Sequence, residues 1–205
     1  MLKAPAQRGR DTRQRIVEAA VETLRRHGYS GTSARAVARA GGFNQALIFY
    51  HFGSLNDLLL AAVDHVSQAR MGRYKSAIAS SQGSVELMRA VARLFREDVE
   101  EGTTTVLSEL VAASLNVTGL GPELVRRMEP WTELIERVFR QLLEDTPLED
   151  QANPRDLAQA VIAICIGVEV LTHLDRDLDR VDGLFQLGTQ MAVLFQTAFP
   201  KGGQL

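Results

Sequence analysis

One cysteine, Cys165, stands among 205 residues, so no disulfide can form within the chain, and its use fits a reducing compartment. Aromatics are few at 6% against 45% hydrophobic residues, a balance that disfavours strands and favours helices. The four histidines, His27, His51, His65 and His173, lie far apart. No His-x-x-x-His pair, Gly-rich phosphate loop or serine elbow is present, which removes the usual signs of metallohydrolases, nucleotide-binding enzymes and serine hydrolases. Glu169 and His173 are spaced to offer two metal ligands, but one pair on one helix is a thin basis for a metal. No catalytic residue, cofactor or metal is expected, and the chain is not expected to be an enzyme. The longest apolar run, residues 160–168, is about half of the roughly 20 residues that a membrane span needs. Residues 1–10 lack the apolar segment of an export signal. These absences lead us to expect a soluble, cytoplasmic protein with no membrane partner.

What is present is an uneven charge. The net value is −2, yet residues 1–53 carry nine basic side chains (Lys3, Arg8, Arg10, Arg13, Arg15, Arg25, Arg26, Arg35 and Arg39) against Asp11, Glu18 and Glu22, or +6, and the remainder is −8. A polyanion would therefore bind the first quarter of the chain. The competing explanation is an ordinary solvated basic surface. Helix packing alone, as in a purely structural interaction module, gives no reason to segregate charge.

Periodicity divides the chain into helices. Residues 1–10 show none and contain Pro5 and Gly9, so they read as a mobile basic arm. Asp11 can cap a first helix over 12–27, with Ile16, Ala20 and Leu24 on one face and Gly28 at its end. Thr32 or Ser33 can cap a second, carrying Ala34, Val37 and Ala38 and stopped by Gly41-Gly42. Asn44 can cap a short third, residues 45–52, with Ile48 and Phe52 facing inward and Gly53 closing it. Ser54 and Asp57 form a capping box that opens a long helix over 54–79. Further helices are expected over 84–101, 104–117, 124–143 with a kink or restart at Pro130, 153–174, and 181–199, with an acidic loop at 145–153.

Three short helices joined by glycine-bearing turns suit one task. A helix about 10–12 Å across fits a DNA major groove about 12 Å wide, and a short second helix can insert while its neighbour braces it. The stretch from Thr32 to Ser54, TSARAVARAGGFNQALIFYHFGS, and above all Phe49-Tyr-His-Phe52 followed by a Ser-capped helix with Asp57-Leu-Leu59, resembles the DNA-binding segment of the tetracycline-repressor (TetR) family. The resemblance covers about residues 12–63. It implies an all-α fold with an N-terminal three-helix helix-turn-helix DNA-binding domain, residues 1–53, and a larger helical ligand-binding and dimerisation domain, residues 54–205. By position, Arg35, Asn44 and Gln45 would reach base edges, Tyr50, His51 and Arg13 phosphates, with Thr32 and Ser33 at the start of the second helix completing the DNA-facing set. Where the family often has Thr, Tyr and Lys, this chain has Leu47, Phe49 and Leu55, so backbone contacts should be fewer. Ala46 and Leu47 could instead meet thymine methyls, and Arg8 and Arg10 the minor groove. The alternative for Phe49, Tyr50 and Phe52 is that they fill the small core, a role favoured for Phe52. His51 could as well cap a helix end.

For the second half the resemblance implies an inducer site and a two-fold interface made by the last two helices. The sequence supports both. Helix 154–174 is apolar all round through residues 160–168, and helix 181–199 offers Leu184, Leu187, Met191, Leu194 and Phe195 as a matching stripe, so a homodimer through these helices would present two heads to the half-sites of a palindromic operator. Polar groups stranded in apolar helices, Glu109, Glu169 and His173, together with Phe95, Leu110, Met128, Trp131, Ile135 and Phe139, are the candidate pocket for a small molecule. The same aromatics could be plain core, and Glu169 with His173 an internal pair or a dimer contact. The combined expectation is a repressor released from DNA by a small-molecule ligand.

Overall fold

The computed structural model describes residues 5–175 and 177–199, and among them it contains nine helices and no strand. In chain order they are α1 (Pro5–His27), α2 (Ala34–Gly41), α3 (Ala46–Phe52), α4 (Leu55–Ser80), α5 (Ser84–Glu100), α6 (Thr105–Ser114), α7 (Leu120–Leu143), α8 (Pro154–Asp175) and α9 (Asp179–Ala198). The chain forms two compact units. The first is Met1–Gln68 with Gly102–Arg126, the second Ala69–Glu101 with Arg127–Leu205.

In the first unit α1 packs against α2 and α6. Ile16, Ala20 and Leu24 of α1 are buried with Val37 and Ala38 of α2, Ile48 of α3 and Leu58, Leu59 and Ala62 of α4. Each such large side chain contributes roughly 1.5–3 kcal/mol by leaving water. Local chemistry sets the short elements. The Ser33 hydroxyl accepts the Ala36 N–H at 3.1 Å and starts α2, and Gly42, left-handed at φ 66°, ends it. A side chain at Gly41 would strike the Phe43 ring and Ala19, so the turn needs glycine there for space. Asn44 Oδ1 accepts the Ala46 N–H at 2.9 Å, and Ser54 Oγ accepts the Asp57 N–H at 3.1 Å while donating to its carboxylate.

In the second unit α5 and α8 both pack against α9. One buried cluster joins Met71 and Tyr74 of α4 to Leu134 of α7, flanked by Trp131. Another joins Phe95 of α5 to Val181 and Phe185 of α9, flanked by Cys165 and Val168. By length and apolar composition α8 passes for a membrane span over Pro154–Leu174, and only 17% of that stretch is buried. A count of uninterrupted apolar residues understated it, because polar residues at its ends do not break the helix.

Several boundaries differ from expectation. The basic arm is helical from Pro5, with proline at the first helical position where its missing N–H costs nothing. Residues 5–10 carry no apolar period, which is why the periodicity began late. Residues 1–4, Lys3 included, lie outside the described residues. Asp11 therefore sits inside α1 and does not cap it. α7 begins at Leu120 and runs through Pro130 without a break. The compact units also divide elsewhere than at 53/54, since α6 and the start of α7 accompany α1–α3.

Candidate nucleic-acid interface

The second and third helices put a set of polar side chains on the surface. Arg35 of α2, Asn44 and Gln45 at the turn, and Ala46 at the start of α3 are all exposed, and Leu47 is half-buried. Ile48 alone of α3 is fully buried. That single anchor leaves the opposite face free. Tyr50 is 82% exposed, its ring edge-on to His51 at 5.0 Å. A phenol so placed has no protein core to fill, so the core reading of Tyr50 does not hold, and Phe49 is half-exposed as well. Arg13, an exposed residue of α1, lays its guanidinium 4.7 Å above the Phe52 ring. This cation–π contact, worth about 0.5–1 kcal/mol at an exposed site, holds a positive charge beside α3.

Two expected members are spent elsewhere. Thr32 is buried and its hydroxyl donates to the Gly28 carbonyl at 2.6 Å, so its hydroxyl is committed to closing the α1–α2 turn and is corrected out of the DNA-facing set. The Ser33 hydroxyl is engaged as the α2 cap, although the residue stays exposed. A threonine just before a helix looks identical in sequence whether it faces a groove or its own turn.

The candidate pocket residues are not all in one unit. Phe95, Met128, Trp131, Ile135, Phe139, Glu169 and His173 belong to the second, whereas Glu109 and Leu110 belong to the first. Leu110 is core there, and Glu109 accepts the Tyr29 N–H at 2.6 Å. In the second unit Glu169 is buried, whereas His173, one turn further along α8, is exposed. What sequence reasoning missed is the group beside Glu169. Asp98, fully buried, accepts from Arg70 Nε at 2.7 Å, from Arg73 and from the Tyr74 hydroxyl at 3.0 Å. The Arg70 guanidinium lies 5.5 Å from the Trp131 ring centre and 3.6 Å from a Glu169 oxygen. One signal was available: Asp98 falls on the same stripe of α5 as Leu94 and Phe95, where a carboxylate needs a buried partner.

Burial dominates the titration of this group. It pushes the Glu169 carboxyl up to about 7 against the opposing pull of Arg70, and the Cys165 thiol up to about 12. Burial also raises Tyr74. Arg70 is raised despite its desolvation, because Glu169 and Asp98 favour its charge. A carboxyl whose folded pKa lies above its ordinary value of 4.5 makes the folded state bind more protons, so stability falls as pH climbs from about 4.5 to about 7. The loss is on the order of 3 kcal/mol. Thermal midpoints measured across that window should decline, and Glu169→Gln should flatten the decline. An unchanged slope in the variant would remove Glu169 as its source.

No group of three or more metal-ligating side chains occurs among the described residues. The family model for bacterial regulatory proteins, tetR family, matches residues 16–62, from the middle of α1 through α2 and α3 into the first turns of α4. An uncharacterised helix-turn-helix transcriptional regulator of Mycobacterium tuberculosis is 24% identical over 114 residues, 56% of this chain and 58% of that one. The repressor AcnR of Corynebacterium glutamicum is 36% identical over 81 residues, 40% of each. The chain thus spans about half the length of the curated relatives it matches. In three dimensions it is similar to the regulator FadR of Bacillus subtilis, solved in complex with stearoyl-CoA, with a TM-score of 0.72 at 16% identity over 88% of this chain and 97% of that one. The helix-turn-helix geometry and the family match together identify residues 16–62 as a head segment of the tetR family of bacterial regulatory proteins, and along the rest of the chain the likeness is one of helical fold.

Proposed function

We propose that this chain is a DNA-binding transcriptional regulator that acts as a homodimer and is released from a palindromic operator by a small molecule. The observation that carries the DNA half is the surface of α2 and α3: exposed Arg35, Asn44, Gln45 and Tyr50 gathered on the segment whose charge is +6. Guanidinium and amide groups suit base edges, and the tyrosine, His51 and Arg13 suit phosphates. Residues 1–53 would be the reading head, and the rest the sensor and dimerisation part.

The dimer reading rests on the apolar faces of α8 and α9. Ile164, Leu171 and Leu174, with Leu187, Met191 and Leu194, are each about half exposed or more, an arrangement that a second copy would cover. The ligand reading rests on the buried ionic group at Arg70, Asp98 and Glu169 with Trp131 beside it, and on the FadR relative, which holds stearoyl-CoA. Release requires that the ligand bind more tightly to an arrangement with misplaced heads. The unbroken α4, shared by both units, is the lever for it.

The test is selection from a randomised duplex pool, followed by anisotropy titration of the winner at several salt concentrations. A sequence-specific site is expected, with affinity falling steeply in salt. Arg35→Ala should cost about 1–3 kcal/mol and relax one base position, whereas Arg13→Ala should weaken all duplexes alike and reduce the salt slope by about 1. Enrichment of no sequence would end this proposal.

A further inference from the structure

The α1–α2 turn is held from a distance. Gly28 ends α1 in the left-handed region at φ 64°, its N–H bonded to the Leu24 carbonyl at 2.9 Å and its own carbonyl taken by Thr32 Oγ. The next amide, that of Tyr29, goes to the side chain of Glu109 in α6, 80 positions along the chain, at 2.6 Å. The carboxylate is seated against the backbone itself. A Cβ at residue 28 would lie 2.8 Å from its Oε2, so Gly28 is required both by its dihedral and by this contact.

A carboxylate is an unusual occupant for this place. The C-terminal end of a helix carries the negative pole of its dipole and repels anions. An apolar side chain would add burial without that penalty. What the carboxylate supplies is a short, charge-assisted and directional bond, at a helix end whose last turn contains Arg25, Arg26 and His27. A second contact lies nearby, where the guanidinium of Arg25 rests close to Gly102 at the approach to α6. The direction of α2 follows from the turn that Glu109 grips, because Thr32 and the Ser33 cap begin it.

We infer that Glu109 is a positioning residue for DNA reading: through the Tyr29 amide it fixes the angle of the helix-turn-helix on α6. The inference rests on the proposed DNA-binding function. Loss of this bond lets each head sample a wider range of angles. Such a head binds its best site more weakly and tolerates wrong half-site spacing better.

The test uses the full chain and the duplex that the wild type selects from a randomised pool, together with the same duplex carrying one inserted base pair between half-sites. Glu109→Ala should weaken binding to the parent duplex about tenfold and shrink the penalty for the insertion severalfold. Glu109→Gln, whose amide oxygen can accept the same N–H, should restore both. Thermal midpoints of each variant are recorded beside them, since lost stability alone lowers affinity for both duplexes without changing their ratio. If Glu109→Ala does not fold, Glu109→Asp, one methylene short of the turn, should show the same loss of spacing selectivity. A wild-type ratio between the two duplexes in whichever variant folds overturns the inference. A wild type that selects no duplex, or ignores the insertion, overturns the DNA-reading proposal and this inference with it.

Discussion

Replacing Asp98 with alanine should lower stability by about 3–5 kcal/mol and the thermal midpoint by on the order of 10 °C. Asp98 has no solvent exposure, and three donors converge on it from α4: Arg70, Arg73 and Tyr74. Its removal takes from the Arg70 guanidinium, whose side chain is 11% exposed, its 2.7 Å carboxylate partner and leaves Glu169 at 3.6 Å. An uncompensated buried charge costs more than the pair ever contributed. For the same reason Arg70→Met combined with Asp98→Ala should cost less than Asp98→Ala alone, because the stranded charge leaves with the arginine. A double variant no more stable than the single would show that Asp98 acts through Arg73 or Tyr74 instead. The measurement is thermal or urea denaturation of the three proteins at one pH.

The second large effect concerns the outer faces of α8 and α9. Leu187 and Leu194, 57% and 62% exposed and two turns apart on α9, would lie in the proposed two-fold contact. Leu187→Glu with Leu194→Glu brings four carboxylates into that contact, while in the single chain both positions already face water. The folded monomer should survive and the dimer should not. Because two linked heads bind a palindrome with a gain of about 10²–10⁴ over one head, affinity for the selected duplex should fall by at least about a hundredfold. Sedimentation velocity at micromolar concentration checks the first statement and anisotropy titration the second. A variant that still sediments as a dimer would place the interface elsewhere.

The sequence disclosed those features whose cause is local. Ser33, Asn44 and Ser54 cap the helices they precede because each bond spans two or three residues, and Ile48 is buried because α3 has one inward position. The all-helical class and the short helix-turn-helix follow from the same period. Partners distant along the chain were beyond its reach. Glu109 is a polar residue in an apolar helix, which suggested a ligand, whereas its partner is a backbone amide in another helix turn. Arg70 and Arg73 gave no signal of their own, since a long basic side chain on a helix is usually solvated. Only Asp98, standing on an apolar stripe, hinted that α4 must return a positive charge to it. The helical start of α1 was hidden for the opposite reason, as the residues before Asp11 show no apolar period.

Pro130 carries no N–H, so within α7 the carbonyl of Arg126 loses the rung that would ordinarily close on it four residues later. Arg126 is also the last residue of the first compact unit. α4 makes the same passage at Gln68 with no proline near it. Of the two helices that pass from one unit into the other, α4 keeps every main-chain donor near the passage, whereas α7 lacks one four residues beyond it.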